Sequence, residues 1–121
     1  MNKKVLVVDD DGLVRRSLVT MLRQNGLIAL EAANGKDGLE KASQDIDLIV
    51  TDLNMPEMNG LDMIKALRSN PKTKDLRVII LTTNDDIQSV NQAMEAGITT
   101  YLSKATLDLE TITKQIINFL R

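Results

Sequence analysis

The fold is decided by the stretch Asp47-Leu48-Ile49-Val50-Thr51-Asp52-Leu53-Asn54-Met55-Pro56-Glu57-Met58-Asn59-Gly60. Its apolar part, residues 48–51, predicts a short buried strand, and the part that begins at Asp52 predicts a turn-rich loop. Three other apolar runs also end in polar groups: Asp9 and Asp10 follow the first, Thr82 follows the next, and Lys104 follows the last. This arrangement indicates one shared edge of a parallel sheet, where open α/β folds bind their ligands.

The rest of the chain alternates between strand-like and helix-like segments. The predicted strands cover residues 4–8, 27–30, 48–51, 78–81 and 99–102, and each is followed by apolar residues at helical spacing. Five strand–helix units with right-handed connections predict an α/β fold, a doubly wound five-stranded parallel sheet of order 2-1-3-4-5, flavodoxin-like (βα)5. The first, third and fourth strands are almost continuously apolar, as expected of buried strands, so the second and fifth are predicted at the edges.

Composition limits the classes of protein that this chain can belong to. Its 121 residues fit one domain, expected to span 1–121, and its formal charge of −2 includes no basic patch for nucleic acid. No apolar run is long enough for a bilayer and the N-terminus lacks a signal-peptide pattern, so we expect a cytoplasmic protein with no membrane partner. The absence of Cys and His argues against thiolate chemistry, zinc sites and His acid–base catalysis.

The predicted strand order brings Asp9, Asp10 and Asp52 together, because the first and third strands are neighbours. Three carboxylates at close range repel one another unless a proton, a lysine or a divalent cation relieves the charge. All-oxygen ligands suit Mg²⁺, which usually binds a substrate phosphate as well. With Lys104 as a compact positive charge and Thr82 as a hydroxyl donor, this edge carries the usual groups for phosphoryl transfer.

Four segments, in this order and with this spacing, resemble one family over the whole chain. They are Asp9-Asp10, the segment 52–60, Leu81-Thr82-Thr83, and Gly97-Ile98-Thr99-Thr100-Tyr101-Leu102-Ser103-Lys104. The sequence is similar to the receiver domain of two-component response regulators, of which the stand-alone chemotaxis response regulator is an example. One such motif alone is weak evidence, whereas four in order are strong.

The resemblance implies a phosphoacceptor and a metal site. Asp52 would be the nucleophile that takes a phosphoryl group from a phosphohistidine on a sensor histidine kinase or phosphotransfer protein. Asp10 would bind Mg²⁺ (or Mn²⁺) directly together with Asp52, while Asp9 would act mainly through a metal-bound water. Asn54 would contribute its backbone carbonyl to the metal. The protein would be a signalling phosphoacceptor that catalyses only its own phosphorylation and dephosphorylation, not an enzyme with turnover.

The resemblance also implies a switch. Lys104 would pair with Asp52 and then with the phosphoryl oxygens, and Thr82 would hydrogen-bond the phosphoryl group. Tyr101 would move inward when Thr82 moves, which changes the face formed by the fourth helix, fifth strand and last helix. That face would serve the downstream partner, and it allows a homodimer.

Alternative interpretations remain at this stage. A phosphatase resembling the haloacid dehalogenase group also uses a strand-end Asp, but it needs a second Asp where this chain has Asn54, and its acidic pair comes late in the sequence. A degenerate receiver would work without phosphate, yet Asp10, Asp52, Thr82 and Lys104 are all present. Taken singly, these residues could also be a helix cap, a turn residue, a strand end and a surface charge. Nucleotide binding lacks a glycine-rich phosphate loop after the first strand.

The sequence departs from the family pattern at two places. Ala105 follows Lys104 where Pro is common, and we predict a trans peptide there because a cis bond before a non-proline residue costs about 2.5–4 kcal/mol. Thr83 and Asn84 follow Thr82 where a smaller residue and often a charged one are usual. No catalytic group is lost by either change.

Overall fold

The computed structural model describes residues 3–82, 87–98 and 100–121, with backbone alone at positions 87 and 89. The sequence-based expectations for Thr83, Asn84 and Thr99 lie outside these residues. The described elements, in chain order, are β1 (Lys4–Val8), α1 (Gly12–Gln24), β2 (Ile28–Ala32), α2 (Gly35–Lys41), β3 (Leu48–Thr51), α3 (Gly60–Arg68), β4 (Arg77–Thr82), α4 (Ile87–Glu95), β5 (Thr100–Ser103) and α5 (Leu109–Leu120).

The strands form one parallel sheet with the order β2-β1-β3-β4-β5, which confirms the predicted topology. Val8 lies opposite Thr51 in the β1–β3 pairing, and Thr82 lies opposite Ser103 in the β4–β5 pairing. Because these paired residues end their strands, the polar residues that follow them emerge at the same edge of the sheet. The predicted edge strands, β2 and β5, occupy the two outer positions.

Alternate strand residues separate the apolar core into two layers, as the period-2 geometry of a strand requires. Leu6, Ile49 and Ile80 pack on one face with side chains from α3 and α4, whereas Val5, Val7, Leu48, Val50, Ile79 and Leu81 pack on the other with α1 and α5. Aliphatic side chains fill both layers. The core therefore covers both faces of the three central strands and leaves their carboxyl ends for polar residues.

Helix caps follow the expected chemistry. The Asp11 side chain accepts hydrogen bonds from the amides of Leu13 and Val14, so Asp11 is the N-cap of α1. Asp108 caps α5 through the amide of Thr111, and this hydrogen bond holds the pKa of Asp108 below its usual value.

The described residues contain no cis peptide bond, so the peptide between Lys104 and Ala105 is trans, as predicted. None of the described helices has the length and apolar character needed to cross a membrane.

Candidate functional site

The acidic residues meet where β1 and β3 end. The Asp52 amide donates to the Val8 carbonyl at 3.0 Å, which extends the pairing of the two strands by one residue. One carboxylate oxygen from each of Asp9, Asp10 and Asp52 lies within 4.8 Å of the other two. Asp9 and Asp52 are buried, at 2% and 8% exposure, whereas Asp10 is exposed. The predicted convergence of the three carboxylates is therefore confirmed.

Lys104 bridges two of these carboxylates. Its Nζ lies 2.5 Å from Asp9 Oδ2 and 3.1 Å from Asp52 Oδ2, and its side chain is only 11% exposed. Its backbone amide donates to the Thr82 carbonyl at 3.0 Å, so the end of β4 positions the lysine. The sequence-based hypothesis paired Lys104 with Asp52; the structure contains that contact and adds a shorter one to Asp9.

Burial and ion pairing shift the pKa values of Asp9 and Lys104 in opposite directions. Burial raises the pKa of the Asp9 carboxyl above its usual value, and the hydrogen bonds from Lys104 and Asp11 oppose this only in part. Burial by itself would lower the pKa of Lys104, but the hydrogen bond to Asp9 and the charges of Asp52 and Asp9 outweigh it and raise that pKa. The lysine therefore stays protonated and neutralises part of the acidic charge.

The loop after β3 holds the Asp52 carboxylate in place. Asp52 Oδ1 accepts from the amides of Leu53 at 2.6 Å and Asn54 at 3.3 Å. The loop closes where the Gly60 amide donates to the Leu53 carbonyl at 2.9 Å. A Cβ at Gly60 would lie 2.1 Å from the Asp52 carbonyl oxygen, so only glycine permits this approach.

The residues predicted to sense the phosphoryl group lie on β4 and β5. Thr82 is fully buried at the end of β4. Tyr101 is half-buried on β5, opposite Ile80, and packs against the apolar layer that includes Leu53, Ala93 and Ile98. Both residues make polar or ring interactions in this conformation. The structure thus places Tyr101 beside Ala93 of α4, on the face that the switch hypothesis expects to change.

Sequence reasoning missed two residues beside the site. Arg15 on α1 donates from Nη1 to the Asp9 carbonyl oxygen at 2.7 Å and from Nε to Glu31 Oε1 at 3.0 Å. The Arg15 side chain is 14% exposed and that of Glu31 34%. The signal available in the sequence was one of three Arg residues in an amphipathic helix, and such residues are ordinarily surface charges.

Comparisons with known proteins agree with this geometry. The family model described as "Response regulator receiver domain" matches residues 5–117. The chain belongs to the response regulator receiver family. This receiver is 40% identical over 104 residues to Chemotaxis protein CheY1 of Helicobacter pylori, covering 84% of each chain. It is 35% identical over 105 residues to Chemotaxis protein CheY-3 of Vibrio cholerae, covering 85% of this chain and 81% of the relative.

A solved structure shares the fold of this receiver over nearly its full length. The crystallised chemotaxis protein CheY4 of Vibrio cholerae matches with a TM-score of 0.88 and 31% identity, and the match covers 98% of each chain. Receiver domains of this kind are the phosphoacceptor parts of signalling response regulators and act with histidine kinases and output proteins. The haloacid dehalogenase-like alternative gains no support from these matches.

The acidic cluster fits the cation that receiver domains bind. Three carboxylate oxygens within 4.8 Å of one another form a hard, all-oxygen donor set that one ion can bridge. Asp10 is exposed, which leaves its carboxylate accessible from solvent, whereas Asp9 Oδ1 and Oδ2 already accept from the Asp11 amide and from Lys104. The three carboxylates therefore suit Mg²⁺, and Asp10 is a more accessible ligand than Asp9.

Proposed function

We propose that this receiver accepts a phosphoryl group on Asp52 in a Mg²⁺-dependent (or Mn²⁺-dependent) reaction. The observation that carries the proposal is the buried Asp52 carboxylate, which lies 3.1 Å from Lys104 Nζ and within 4.8 Å of the other two acidic side chains. The phosphoryl donor would be a phosphohistidine on a sensor histidine kinase or phosphotransfer protein. Family membership supports this donor, and the functional domain would span 1–121.

The chain's own groups divide the work of phosphoryl transfer. Backbone amides of Leu53 and Asn54 hold one oxygen of the Asp52 carboxylate, which fixes the orientation of the nucleophile before a donor arrives. The new O–P bond forms as the donor's N–P bond breaks, and the electron pair returns to the imidazole nitrogen. Lys104 lies close enough to transfer a hydrogen bond from Asp52 to a phosphoryl oxygen.

The acidic residues supply the site for the cation. When bound, Mg²⁺ would neutralise charge on the phosphoryl oxygens as they approach a negative cluster. Asp10 and Asp52 would hold it by their carboxylates, Asn54 by its backbone carbonyl, and Asp9 through a water. Thr82, at the end of β4, would donate its hydroxyl to the phosphoryl group after transfer.

The consequence of phosphorylation would be a switch, not the release of a product. A phosphoryl group adds roughly −1.5 to −2 charge at neutral pH, and Thr82 and Lys104 are the groups that can follow it. Their movement would let Tyr101 turn inward and change the α4–β5–α5 face, which would contact an output partner or a second copy. The protein would catalyse only its own phosphorylation and dephosphorylation, in the cytoplasm.

Acetyl phosphate labelling tests the proposal. The intact protein is incubated with the donor, with Mg²⁺ or with EDTA, and its mass is measured for wild type, Asp52→Asn and the control Asp75→Asn. Asp75 is an exposed acid in the turn before β4. Its replacement by Asn removes the same charge as Asp52→Asn, but at a position away from the cluster. We expect wild type and the control to gain one phosphoryl group only with Mg²⁺, and Asp52→Asn to gain none. Equal labelling of all three proteins would overturn the assignment.

A further inference from the structure

Arg15 is a nearly buried cation that the proposed reaction does not use. Its side chain is 14% exposed, and its guanidinium makes two hydrogen bonds to different partners. Nη1 donates to the main-chain oxygen of Asp9 at 2.7 Å, while Nε donates to Glu31 Oε1 at 3.0 Å. The guanidinium thus ties the first residue of the acidic cluster to the edge strand β2.

The Asp9 main chain is held by β2 at its amide and by Arg15 of α1 at its carbonyl. Its amide donates to the Ala32 carbonyl at 3.0 Å, and its carbonyl accepts from Arg15, which Glu31 orients. The main chain of Glu31 is itself held, because its carbonyl accepts from Lys41 Nζ at 2.5 Å. The carbonyl of Asp9 belongs to the planar peptide that leads to Asp10. A hydrogen bond to that oxygen therefore sets the direction in which Asp10 leaves the strand.

We propose that Arg15 is a positioning residue for metal binding, and that it acts through the Asp9–Asp10 peptide. The inference rests on the proposed Mg²⁺ dependence. Arg15 contacts neither the carboxylates nor the phosphoryl position in the hydrogen bonds described above. It fixes the peptide from which Asp10 projects toward Asp52, so the donor set is already assembled before a cation arrives. Groups that orient a ligand in this way typically change metal affinity by 10–100-fold.

Charge and geometry make opposite predictions at this position. A positive charge beside the cluster repels a cation, so by charge alone the loss of Arg15 would strengthen Mg²⁺ binding. If Arg15 instead acts by orienting the Asp9–Asp10 peptide, its loss weakens Mg²⁺ binding. Lysine separates the two effects, because it keeps the charge but has a single nitrogen that cannot reach Glu31 and the Asp9 carbonyl as the guanidinium fork does.

Calorimetric titration of Mg²⁺ in the absence of a phosphoryl donor provides the direct test. We expect Arg15→Lys to weaken binding about tenfold relative to wild type. Arg16→Lys is the matched control, since Arg16 is the next residue on α1 and is exposed, and it should stay within about twofold. Glu31→Gln keeps Arg15 but loosens its orientation, and we expect about threefold weaker binding.

Loading kinetics distinguish positioning of the metal site from general damage. With acetyl phosphate, Arg15→Lys should need about tenfold more Mg²⁺ for half-maximal rate, while its rate at saturating Mg²⁺ should match wild type. Wild-type affinity in Arg15→Lys would overturn the inference, as would a lowered rate that saturating Mg²⁺ does not restore. If Arg15→Lys does not fold, Glu31→Gln decides by the same two readouts. Failure of wild type to bind Mg²⁺ would instead overturn the proposed function.

Discussion

Replacing Lys104 by Met tests how much this lysine stabilises the folded protein by neutralising the acidic cluster. Lys104 Nζ lies 2.5 Å from Asp9 and 3.1 Å from Asp52, and both carboxylates are buried. Methionine has a similar length and keeps most of the apolar contacts of the lysine stem, but it removes the charge. In EDTA, the variant must then keep two unpaired carboxylates close together or protonate one of them.

The size of the effect follows from the distances. Carboxylate oxygens of the cluster lie no more than 4.8 Å apart, and two unit negative charges at that limit repel by about 3.5 kcal/mol at an effective dielectric constant of about 20. Removing one partner from a buried ion pair typically costs 3–5 kcal/mol, since a desolvated charge is left without compensation. We therefore expect Lys104→Met to lower the free energy of unfolding by about 3 kcal/mol at pH 7, a large fraction of the 5–15 kcal/mol typical of a domain.

The loss should depend on pH in one direction. Burial already raises the pKa of Asp9 in the folded protein, and removal of Lys104 takes away the hydrogen bond that opposes this. A carboxyl whose folded pKa exceeds its unfolded value destabilises the protein above the unfolded pKa, which is about 3.9 for Asp. The raised pKa of Lys104 means that its own contribution is fully present at pH 7. The difference from wild type should accordingly shrink as the pH falls from 7 toward about 4.

Urea unfolding in EDTA at several pH values measures this difference. A double-mutant cycle with Asp9→Asn isolates the pair, because Asp9→Asn should restore much of the stability that Lys104→Met loses. Adding Mg²⁺ should also stabilise Lys104→Met more than wild type, since the cation replaces the missing positive charge. A loss that is equal at pH 4 and pH 7, or one that Asp9→Asn does not reduce, would refute the reasoning.

Three further predictions follow from the site. In Mg²⁺ titrations, Asp10→Ala should weaken binding about tenfold or more and Asp9→Ala less, because Asp10 is the accessible direct ligand; the reverse order would contradict the assignment. Gly60→Ala should lower the free energy of unfolding by about 2 kcal/mol and slow loading, since its Cβ would lie 2.1 Å from a main-chain oxygen; unchanged urea midpoints and rates would count against this. Beryllofluoride, a phosphoryl mimic, should shift amide NMR signals at Tyr101 and along α5, whereas changes confined to the loops around the phosphoacceptor would exclude a propagated switch.

The sequence predicted the bounds of two of the three central strands, whereas the third, β4, was predicted at 78–81 and covers Arg77–Thr82. β1 and β3 have the predicted bounds because each is a continuous apolar run with polar residues after it. β2 was predicted at 27–30 but covers Ile28–Ala32, since its end is set by pairing with β1, where Ala32 lies opposite Val8. β5 was predicted at 99–102 and is described as Thr100–Ser103, with its last residue fixed by Thr82 of β4. Edge strands take their limits from a partner that local sequence does not identify.

For the helices too, local sequence predicted the position of each element but not which of its residues a neighbour covers. Each predicted strand is followed by one of the five described helices. Helical spacing alone would place Met94 on the buried face of α4, but that side chain is 57% exposed. The apolar stripe of a helix does not by itself determine which part of it a neighbouring element covers.

In the site, the strand order was sufficient to predict that three carboxylates meet. It was insufficient to predict that Lys104 contacts Asp9 more closely than Asp52, or that Arg15 reaches the Asp9 carbonyl. The carboxylates lie on strand ends whose positions topology fixes. The basic groups arrive on long, flexible side chains from other elements, and their partners depend on rotamers that sequence spacing does not determine.

The central claim is that Asp52 carries the phosphoryl group. Borohydride reduction tests it most directly, because it converts an aspartyl phosphate into homoserine and leaves free carboxylates unchanged. After loading with acetyl phosphate and Mg²⁺, peptide mass spectrometry should find homoserine at position 52, with Asp9 and Asp10 intact. Homoserine at position 9 or 10, or at no position in a protein that has gained a phosphoryl group, would contradict the account.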